Sequence, residues 1–278
     1  MACGSFFFAY FKLDMKKRLD QYLVELQLFD SREKAKRMIL AGQVLVDDKI
    51  IDKPGTSIKV DQKIRVKSQP KYVSRGGDKL ESVFKSVQFE IKNLKFMDVG
   101  SSTGGFTDFL LQNGANFVYA IDVGTNQLAW KLRNDSRVLS LEKTHIKHLQ
   151  KEAILNQVDG FVIDVSFISL QTVLPLLPKF AKASHFIVPM MKPQFEVGKD
   201  FVGKHGVVKD EKAIYSAILR TWNKLESLSY GIKKLDFSKV AGPKGNVEYF
   251  FYAQMNQSSV HKSLIDEIIQ QRQKYFSK

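Results

Sequence analysis

Residues 95–122 read KFMDVGSSTGGFTDFLLQNGANFVYAID and carry the pattern that decides the fold. The pattern predicts a strand, a glycine-rich turn, a helix and a second strand that ends at Asp122. A tight glycine turn after a strand lets the backbone approach a ligand closely, and an acidic residue about 20 positions later can accept hydrogen bonds from a ribose diol. The stretch therefore predicts the first half of a nucleotide-type binding fold.

The spacing of the glycines favours one kind of ligand over another. Gly100 is followed by two serines and a threonine before Gly104 and Gly105, so the turn is not the GxGxxG of dinucleotide sites. A pyrophosphate is bound at a helix N-terminus, whereas S-adenosylmethionine (SAM) has no phosphate and does not need that anion site. The turn therefore favours SAM as the cofactor.

Strands and helices alternate from residue 94 onward, which predicts a mostly parallel sheet with helices on both faces. We expect strands over 94–99, 117–122, 138–141, 160–165, 185–191 and 247–255, and helices over 106–113, 126–133, 148–156, 169–180 and 211–229. Ligands bind such sheets at the carboxyl ends of the strands. The turn at 100–105, Asp122, Asp164 and Lys192 all fall there, although each alone could be a tight turn, a helix cap or a surface charge.

Composition narrows the class of protein. The 278 residues allow two domains, and a hydrophobic content of 44% is enough for a buried core. The net charge of +14 predicts an acidic partner, either nucleic acid or an anionic surface. Cys3 is the only cysteine, which predicts a reducing, cytoplasmic location. The five histidines are scattered, so no metal site is expected, and the apolar run at 6–11 is too short to cross a membrane.

The pattern of turns and charges divides the chain into four parts. Residues 1–14 form a tail outside the folded unit, 15–67 a basic module of two helices and short strands, 68–74 a polar linker, and 75–278 the α/β domain. The basic side chains on the two helices could bind an anionic partner or simply form a solvated face. Residues 193–208 are interpreted as either a plain loop or a lid, and 260–278 as an amphipathic helix docked on the sheet.

The basic module resembles the RNA-binding domain named after ribosomal protein S-four. The resemblance lies in RLDQYLVELQLFDSREKAKRMILAGQVLVDD, with its Arg-Leu-Asp start, its Ser-Arg pair at the second helix and its Gly-x-Val-x-Val strand. It implies binding of structured RNA through Arg18, Arg32 and Lys36. Contacts of this kind position a protein on phosphates more than they recognise bases.

The whole chain, over roughly residues 15–255, resembles the TlyA family of ribosomal RNA 2′-O-ribose methyltransferases, some of which carry a haemolysin label. The resemblance rests on the order of YVSRGGDKL, DVGSSTGGFTDFLL, AIDVG, LEKTHIK, DGFVIDVSFISL, MKPQFEVG and GNVEYF. It implies a Rossmann-like, FtsJ-like SAM-dependent methyltransferase domain preceded by a small α+β RNA-binding domain. His145 stands where the family pattern has an asparagine, which affects the expected geometry near the adenosine.

The resemblance also implies the site residues. The Lys-Asp-Lys-Glu tetrad of FtsJ-type enzymes corresponds to Lys79, Asp164, Lys192 and Glu248. The SAM-binding residues it implies are Gly100, Ser101, Ser102, Gly104, Gly105, Phe106, the ribose acceptor Asp122, and Glu142 near the adenine.

The chemistry of the tetrad suits a ribose hydroxyl, which is a poor nucleophile until its proton is removed or its oxyanion is stabilised. Lys192 is the expected base or oxyanion stabiliser, and Lys79 supplies a second positive charge that favours a neutral lysine nearby. Asp164 and Glu248 are expected to orient the two lysines.

Three other functions are compatible with parts of the sequence. A membrane-active haemolysin is disfavoured because no signal peptide or long amphipathic array is present. An RNA-binding protein with an inactive catalytic domain is disfavoured by the intact tetrad. A nicotinamide-dependent oxidoreductase is disfavoured because the GxGxxG pattern is missing. The expected reaction is therefore SAM-dependent 2′-O-methylation of a ribose, with cytidine as the expected nucleoside, in ribosomal RNA or ribosomal subunits.

Overall fold

The structure is a computed structural model, and it describes residues 16–29, 31–67, 71–242 and 244–277. The chain separates into two compact units, with the boundary between Lys71 and Tyr72. The predicted tail at 1–14 and residues 68–70 of the predicted linker lie outside the described residues. Each unit has its own hydrophobic core.

The N-terminal unit is a small α+β module. Its elements are β1 (Lys16–Arg18), α1 (Leu19–Glu25), α2 (Arg32–Leu40), β2 (Val44–Val46), β3 (Lys49–Ile50), β4 (Ser57–Lys59) and β5 (Ile64–Val66). Strand β1 pairs antiparallel with β4, and β2 lies between β3 and β5. Leu19, Leu23 and Ile39 are fully buried between the helices and these strands, so the apolar faces of both helices form the core. The first three residues of the helix predicted at 16–27 instead form β1.

The second unit alternates strands and helices as the sequence predicts. Its elements are α3 (Arg75–Val87), β6 (Lys95–Val99), α4 (Gly105–Gln112), β7 (Phe117–Ile121), α5 (Trp130–Arg133), β8 (Val138–Leu141), β9 (Val158–Ile163), α6 (Leu170–Val173), β10 (Ala181–Met191), α7 (Pro193–Glu196), α8 (Glu211–Ser227), β11 (Tyr230–Phe237), β12 (Tyr249–Met255) and α9 (Leu264–Phe276).

These strands form one seven-stranded sheet in the order β11-β12-β10-β9-β6-β7-β8. All neighbouring strands from β10 to β8 are parallel, and β12 runs antiparallel to both of its neighbours. The chain proceeds outward from β6 through β7 to β8 and then returns to β9 on the other side of β6. The carboxyl ends of β6 and β9 therefore flank the topological switch point, where ligands bind in open α/β sheets.

Several predicted elements differ from the observed ones. The helix predicted at 126–133 is reduced to α5, and the one predicted at 148–156 is replaced by short 3₁₀ turns. The helix predicted at 169–180 consists of α6 followed by 3₁₀ turns that contain Pro175 and Pro178, because proline cannot donate the backbone hydrogen bond of a helix interior. Strand β11 was not predicted.

The ends of the second unit are packed against it. Tyr72, inside the predicted linker at 68–74, is 2% exposed, and the Val73 amide donates to Asp108 Oδ2 at 2.8 Å. Helix α9 buries Ile265 and Ile268, as the amphipathic pattern at 260–278 predicts. Within the described residues, no helix is long and apolar enough to span a membrane.

Candidate active site

The glycine-rich turn after β6 brings two strands into close contact. Gly100 has a φ of +86°, and a Cβ at this position would lie 2.6 Å from the carbonyl oxygen of Asp164. Only glycine accepts both this backbone angle and this distance. The turn therefore lies directly against the carboxyl end of β9, where Asp164 begins the next loop.

The same glycine-rich segment fixes the position of α3. A Cβ on Gly105 would lie 2.7 Å from the amide nitrogen of Gly77 and 3.0 Å from the Cα of Gly76. The first turns of α3 and α4 are thus in backbone contact. Lys79, one turn further along α3, is thereby held beside the glycine-rich turn. Phe106 is buried below the turn and packs on Phe250, with ring centroids 6.0 Å apart.

The four tetrad residues meet as two ion pairs. Lys79 Nζ lies 2.7 Å from Glu248 Oε1, and both side chains are buried. Lys192 Nζ lies 2.6 Å from Asp164 Oδ1 and also donates to Ser166 Oγ at 2.8 Å. Burial raises the pKa of Asp164, although Lys192 and Lys79 act in the opposite direction. Lysines and carboxylates from four distant segments therefore line one edge of the sheet.

Asp98, on β6 just before the turn, is a site residue that the sequence did not single out. Its side chain is fully buried, and Oδ2 accepts hydrogen bonds from the Thr107 amide at 3.0 Å and from its hydroxyl at 2.7 Å. Oδ1 is buried and has no hydrogen-bond partner among the described residues. Burial raises the pKa of Asp98 to about 7, and the carboxylates of Asp164 and Asp122 make smaller contributions in the same direction. The hydrogen bonds from Thr107 act to lower this pKa.

Asp122 links the glycine-rich turn to the loop after β7. Oδ2 accepts from the Ser102 amide at 2.8 Å, and Oδ1 accepts from the Gly124 amide at 2.6 Å. The next helix begins eight residues later, at Trp130, so Asp122 is not its cap. The half-exposed carboxylate borders a cavity of about 300 Å³ that also contacts Gly100 and His145.

Glu142 faces a loop and is not among the residues that line this cavity. Its carboxylate accepts from the amides of residues 126, 127 and 128 and from Arg133. Burial acts to raise the pKa of Glu142, but these donors hold that pKa below its usual range. Glu142 therefore fixes the loop that borders the cavity. His145 does line the cavity, and its Nδ1 accepts from the Lys147 amide at 3.0 Å.

Three adjoining cavities run along the carboxyl edge of the sheet. The first, of about 430 Å³, contacts Asp98, Ser101, Gly105 and Lys79. It shares Gly100, Ser102 and Asp164 with the Asp122 cavity and shares Lys79 with a third cavity of about 470 Å³. The third is bordered by Lys192, Glu248 and Phe195, and we call it the catalytic cavity. We call the first two together the bent pocket, and Lys79 and Asp164 of the two ion pairs border it.

Phe167 marks the junction of two of these cavities. Its side chain is 91% exposed, and its backbone has a φ of +62°, which is a strained angle for a bulky residue. The ring lies 5.1 Å from that of Phe195 and borders both the Asp122 cavity and the catalytic cavity. Phe167 was not expected as a site residue, since neither exposure nor backbone strain is visible in the motif DVSFISL.

The half-buried carboxylate of Glu196 ties together the two loops that carry Asp164 and Lys192. Glu196 accepts from Ser169 Oγ and from the Leu170 amide, each at 2.7 Å, and burial raises the pKa of Glu196. The segment 193–208, interpreted as either a loop or a lid, thus begins with a helix α7 that is fixed to the loop after β9. Part of this segment, including Gln194, Phe195, Val202 and Gly206, borders the catalytic cavity.

In the N-terminal unit, two of the expected RNA-binding residues share one buried carboxylate. Arg18 donates to both oxygens of Asp20 at 3.1 Å, and Arg32 donates to its Oδ2 at 2.9 Å. Asp20 is fully buried, and the arginines hold its pKa below the usual range despite that burial. About half of the Arg18 side chain is still exposed, and Lys36 lies half-buried on α2. Among the described residues, no cluster of histidine, cysteine and carboxylate side chains could hold a metal ion.

Comparison with known proteins agrees with both halves of the architecture. The model of the FtsJ-like methyltransferase family matches residues 72–255, and that of the S4 domain matches residues 17–64. A Bacillus subtilis protein provisionally named rRNA methyltransferase YqxC is 44% identical over 239 residues, which are 85% of each chain.

Two further relatives match over nearly their whole length. The Mycobacterium tuberculosis protein named 16S/23S rRNA (cytidine-2′-O)-methyltransferase TlyA is 41% identical over 257 residues, which are 91% of this chain and 96% of that one. The structure of a Streptococcus thermophilus protein provisionally named a hemolysin is 36% identical, with a TM-score of 0.72 over 94% of this chain and 97% of its own. The chain therefore belongs to the FtsJ-like methyltransferases and, among them, to the TlyA family, with an S4 domain ahead of the methyltransferase domain.

Proposed function

We propose that this protein transfers a methyl group from SAM to the 2′-hydroxyl of a cytidine ribose in ribosomal RNA. The observation that carries the proposal is the meeting of Lys79, Asp164, Lys192 and Glu248 at the end of the pocket formed by the glycine-rich turn. A ribosomal substrate also implies that the protein works in the cytoplasm.

The residues of the bent pocket fit SAM. Asp98 Oδ1 is a buried acceptor without a partner, which suits the ammonium group of the methionine part. Asp122 borders the neighbouring cavity, where a carboxylate can accept from a ribose diol, and Glu142 holds the loop on its far side. Gly100 and Gly105 allow the close backbone contacts that shape the pocket, and Ser101 and Ser102 line it beside them. When bound, SAM supplies an electrophilic methyl group.

Lys192 is the residue we assign to the 2′-oxygen. Its ammonium has three N–H donors, and two of them are directed to Asp164 and Ser166. The third can donate to a ribose oxygen in the catalytic cavity and stabilise the negative charge that develops there. A neutral Lys192 would instead accept the proton of the hydroxyl. The Lys79–Glu248 pair borders the same cavity, and we assign it to orient the ribose.

Phe167 is suited to hold the base of the target nucleotide. The exposed ring borders the catalytic cavity, and aromatic rings stack on bases regardless of their sequence. A target nucleotide has to leave its stack before its ribose can reach Lys192, and stacking on Phe167 would offset part of that cost. The strained backbone angle is consistent with this role, since strain is often retained at ligand-binding sites.

RNA binding by the N-terminal unit is assigned to Arg18, Arg32 and Lys36. Because Arg18 and Arg32 both neutralise buried Asp20, replacing either of them would remove one of the two partners of a buried charge and destabilise the unit. Lys36→Gln is therefore the cleaner test of RNA binding. We expect it to weaken RNA binding and to reduce the salt dependence of binding, while SAM binding stays unchanged.

The reaction itself is tested with purified ribosomal subunits from a strain that lacks the gene. The subunits are incubated with the protein and isotope-labelled SAM, and the RNA is digested and analysed by mass spectrometry. We expect label in 2′-O-methylcytidine. Label only in a methylated base would contradict ribose methylation, and label in another ribose-methylated nucleoside would contradict the choice of cytidine.

A further inference from the structure

The segment between α7 and α8 contains a closed turn at residues 203–207. The Gly203 amide donates to the Val207 carbonyl at 3.1 Å, and the Gly206 amide donates to the Gly203 carbonyl at 2.7 Å. Gly206 has a φ of +77°, which favours glycine at this point of the turn. Lys204 and His205 lie at the tip, and both are exposed.

A buried side chain anchors this exposed turn to the active site. Asn246 is 6% exposed; its Oδ1 accepts from the Val208 amide at 3.0 Å, and its Nδ2 donates to the Gly206 carbonyl at 2.7 Å. Asn246 lies two residues before Glu248, and both border the catalytic cavity. Because buried polar groups specify a position through their hydrogen bonds, the tip of the turn is held at a fixed place beside the tetrad.

The surroundings of the turn are cationic. A depression of about 740 Å³ is bordered by Lys204, His205, Lys209 and Lys244, with Phe201 half-exposed in its wall. Lys244 also borders the catalytic cavity, so the two spaces are neighbours. Of the two acidic residues at the depression, Asp210 is engaged as the cap of α8, where it accepts from the Ala213 amide at 2.9 Å. Lysines interleaved with an exposed aromatic ring are typical of grooves that follow a single nucleic-acid strand.

We propose that the turn at 203–207, together with Lys209 and Lys244, binds phosphates of the RNA strand beside the nucleotide that occupies the catalytic cavity. The lysines would position the strand without recognising its bases. This second RNA-binding element belongs to the methyltransferase domain and acts in addition to the S4 domain. The inference rests on the proposed function, because it takes the substrate strand as its ligand.

The test compares two double variants of the full chain. Lys204→Gln/Lys209→Gln removes two charges at the depression. Lys85→Gln/Lys92→Gln removes two exposed charges near the amino end of β6, at the opposite edge of the sheet, and is the matched control. The probe is an rRNA fragment that the wild type methylates, and binding is measured over a range of potassium chloride concentrations.

We expect the first variant to bind this RNA about tenfold more weakly at physiological salt. The slope of log Kd against log salt should fall by about 1.4, the value for two lost contacts to single-strand phosphates. Its SAM affinity, its Tm and its kcat at saturating RNA should match those of the control. Equal RNA affinity and equal slope in the two variants would overturn the inference, whereas a wild type that methylates no RNA would overturn the proposed function instead.

Discussion

Lys192 is the residue on which the proposed chemistry depends most. Since its ammonium is expected to act on the 2′-oxygen as charge develops, Lys192→Ala should lower kcat by at least about 100-fold. The affinities for SAM and for RNA should stay near those of the wild type, because neither ground-state complex needs this contact. Single-turnover methylation and calorimetry with SAM measure the two quantities separately.

Two further variants make this test specific. Lys179→Ala removes a lysine that lies just before the start of β10 and donates to the Leu149 carbonyl. This variant should have an unchanged kcat. Lys192→Arg keeps the positive charge but cannot accept a proton at neutral pH. An inactive arginine variant favours a proton acceptor, and an active one favours stabilisation of the oxyanion. A Lys192→Ala protein with wild-type kcat would contradict the assignment.

Asp98 predicts how stability depends on pH. Its carboxyl has a pKa of about 7 when folded, above the usual value of an aspartate, so the folded chain holds the proton more tightly than the unfolded chain. This contribution to stability is fully present below about pH 4 and is lost as the pH rises through about 7. Asp98→Asn has no such titration. Between pH 5 and pH 8, the wild type should lose about 2–3 kcal/mol relative to this variant.

Urea denaturation of both proteins at the two pH values measures this difference without any cofactor. All titrating groups except Asp164 and Asp122, which interact with Asp98, contribute equally in the two proteins and cancel in the comparison. A difference between the two proteins that is the same at pH 5 and pH 8 would show that Asp98 does not carry a raised pKa. SAM binding at pH 8 should be weaker in the variant, because the amide cannot neutralise an ammonium group.

Phe167 allows binding and stability to be separated at one position. Phe167→Ala and Phe167→Gly both remove the ring, so both should raise the KM for RNA about 5- to 100-fold, the equivalent of one lost stacking contact. Only glycine relieves the left-handed backbone angle, so the glycine variant should be about 1 kcal/mol more stable than the alanine variant. Steady-state kinetics and thermal denaturation check the two effects. A wild-type KM in the alanine variant would contradict stacking on the base.

At the scale of single residues, the sequence predicts the type of reaction better than it predicts the contacts of each side chain. The tetrad was expected from motifs, and the structure brings its four side chains together. Asp98 belongs to the glycine-rich pattern but, like Phe167, was not among the expected site residues, because a missing hydrogen-bond partner and a positive φ arise only from the folded surroundings. The carboxylate of Glu142 accepts from backbone amides, and its expected place near the adenine stays a prediction.

At the scale of elements, the contact between α3 and α4 determines where Lys79 lies. Gly105→Ala would place a Cβ within 3.0 Å of the backbone of Gly76 and Gly77, and neither backbone can move without shifting α3. We expect a loss of about 1–3 kcal/mol of stability together with weaker SAM binding. Gly76→Ala is the control for stability, since its nearest neighbour would be 3.5 Å away. Equal unfolding free energies in the two variants would contradict the close contact.

Elements with a strong regular pattern were predicted well, and those shaped by tertiary contacts were not. The parallel strands β6, β7 and β8 differ from their predicted limits by at most one residue. Strand β11 was missed because two consecutive lysines, Lys233 and Lys234, and a register shift between Ile232 and Lys234 interrupt the alternation that identifies a strand. The loop after β7 resembled a helix, but Glu142 holds its amides in place of helical hydrogen bonds.

At the scale of the whole molecule, the site exists only because the sheet order brings distant segments together. Lys79 and Glu248 are 169 residues apart, and Lys192 and Ser166 are 26 apart, yet all lie at one edge. The alternation of strands and helices predicted that the site lies at this edge, because parallel strands end on the same side of a sheet. The order of the strands, and with it the neighbours of each side chain, could not be derived from the alternation alone.

The separate cores of the two units lead to a prediction about the division of labour. The core of the N-terminal unit, which includes Leu19, Leu23 and Ile39, shares no residue with the cores of the second unit. A chain of residues 72–278 should therefore fold and bind SAM with an affinity within about twofold of the full chain. Two linked binding modules gain affinity from their connection, so loss of the first should weaken RNA binding about 100-fold or more.

Addition of the separate N-terminal unit in trans should not restore methylation at low RNA concentration, whereas a high concentration of RNA should. If the shortened chain methylates RNA with a wild-type KM, the S4 domain does not contribute to substrate binding. If it fails to bind SAM, the two units do not fold independently.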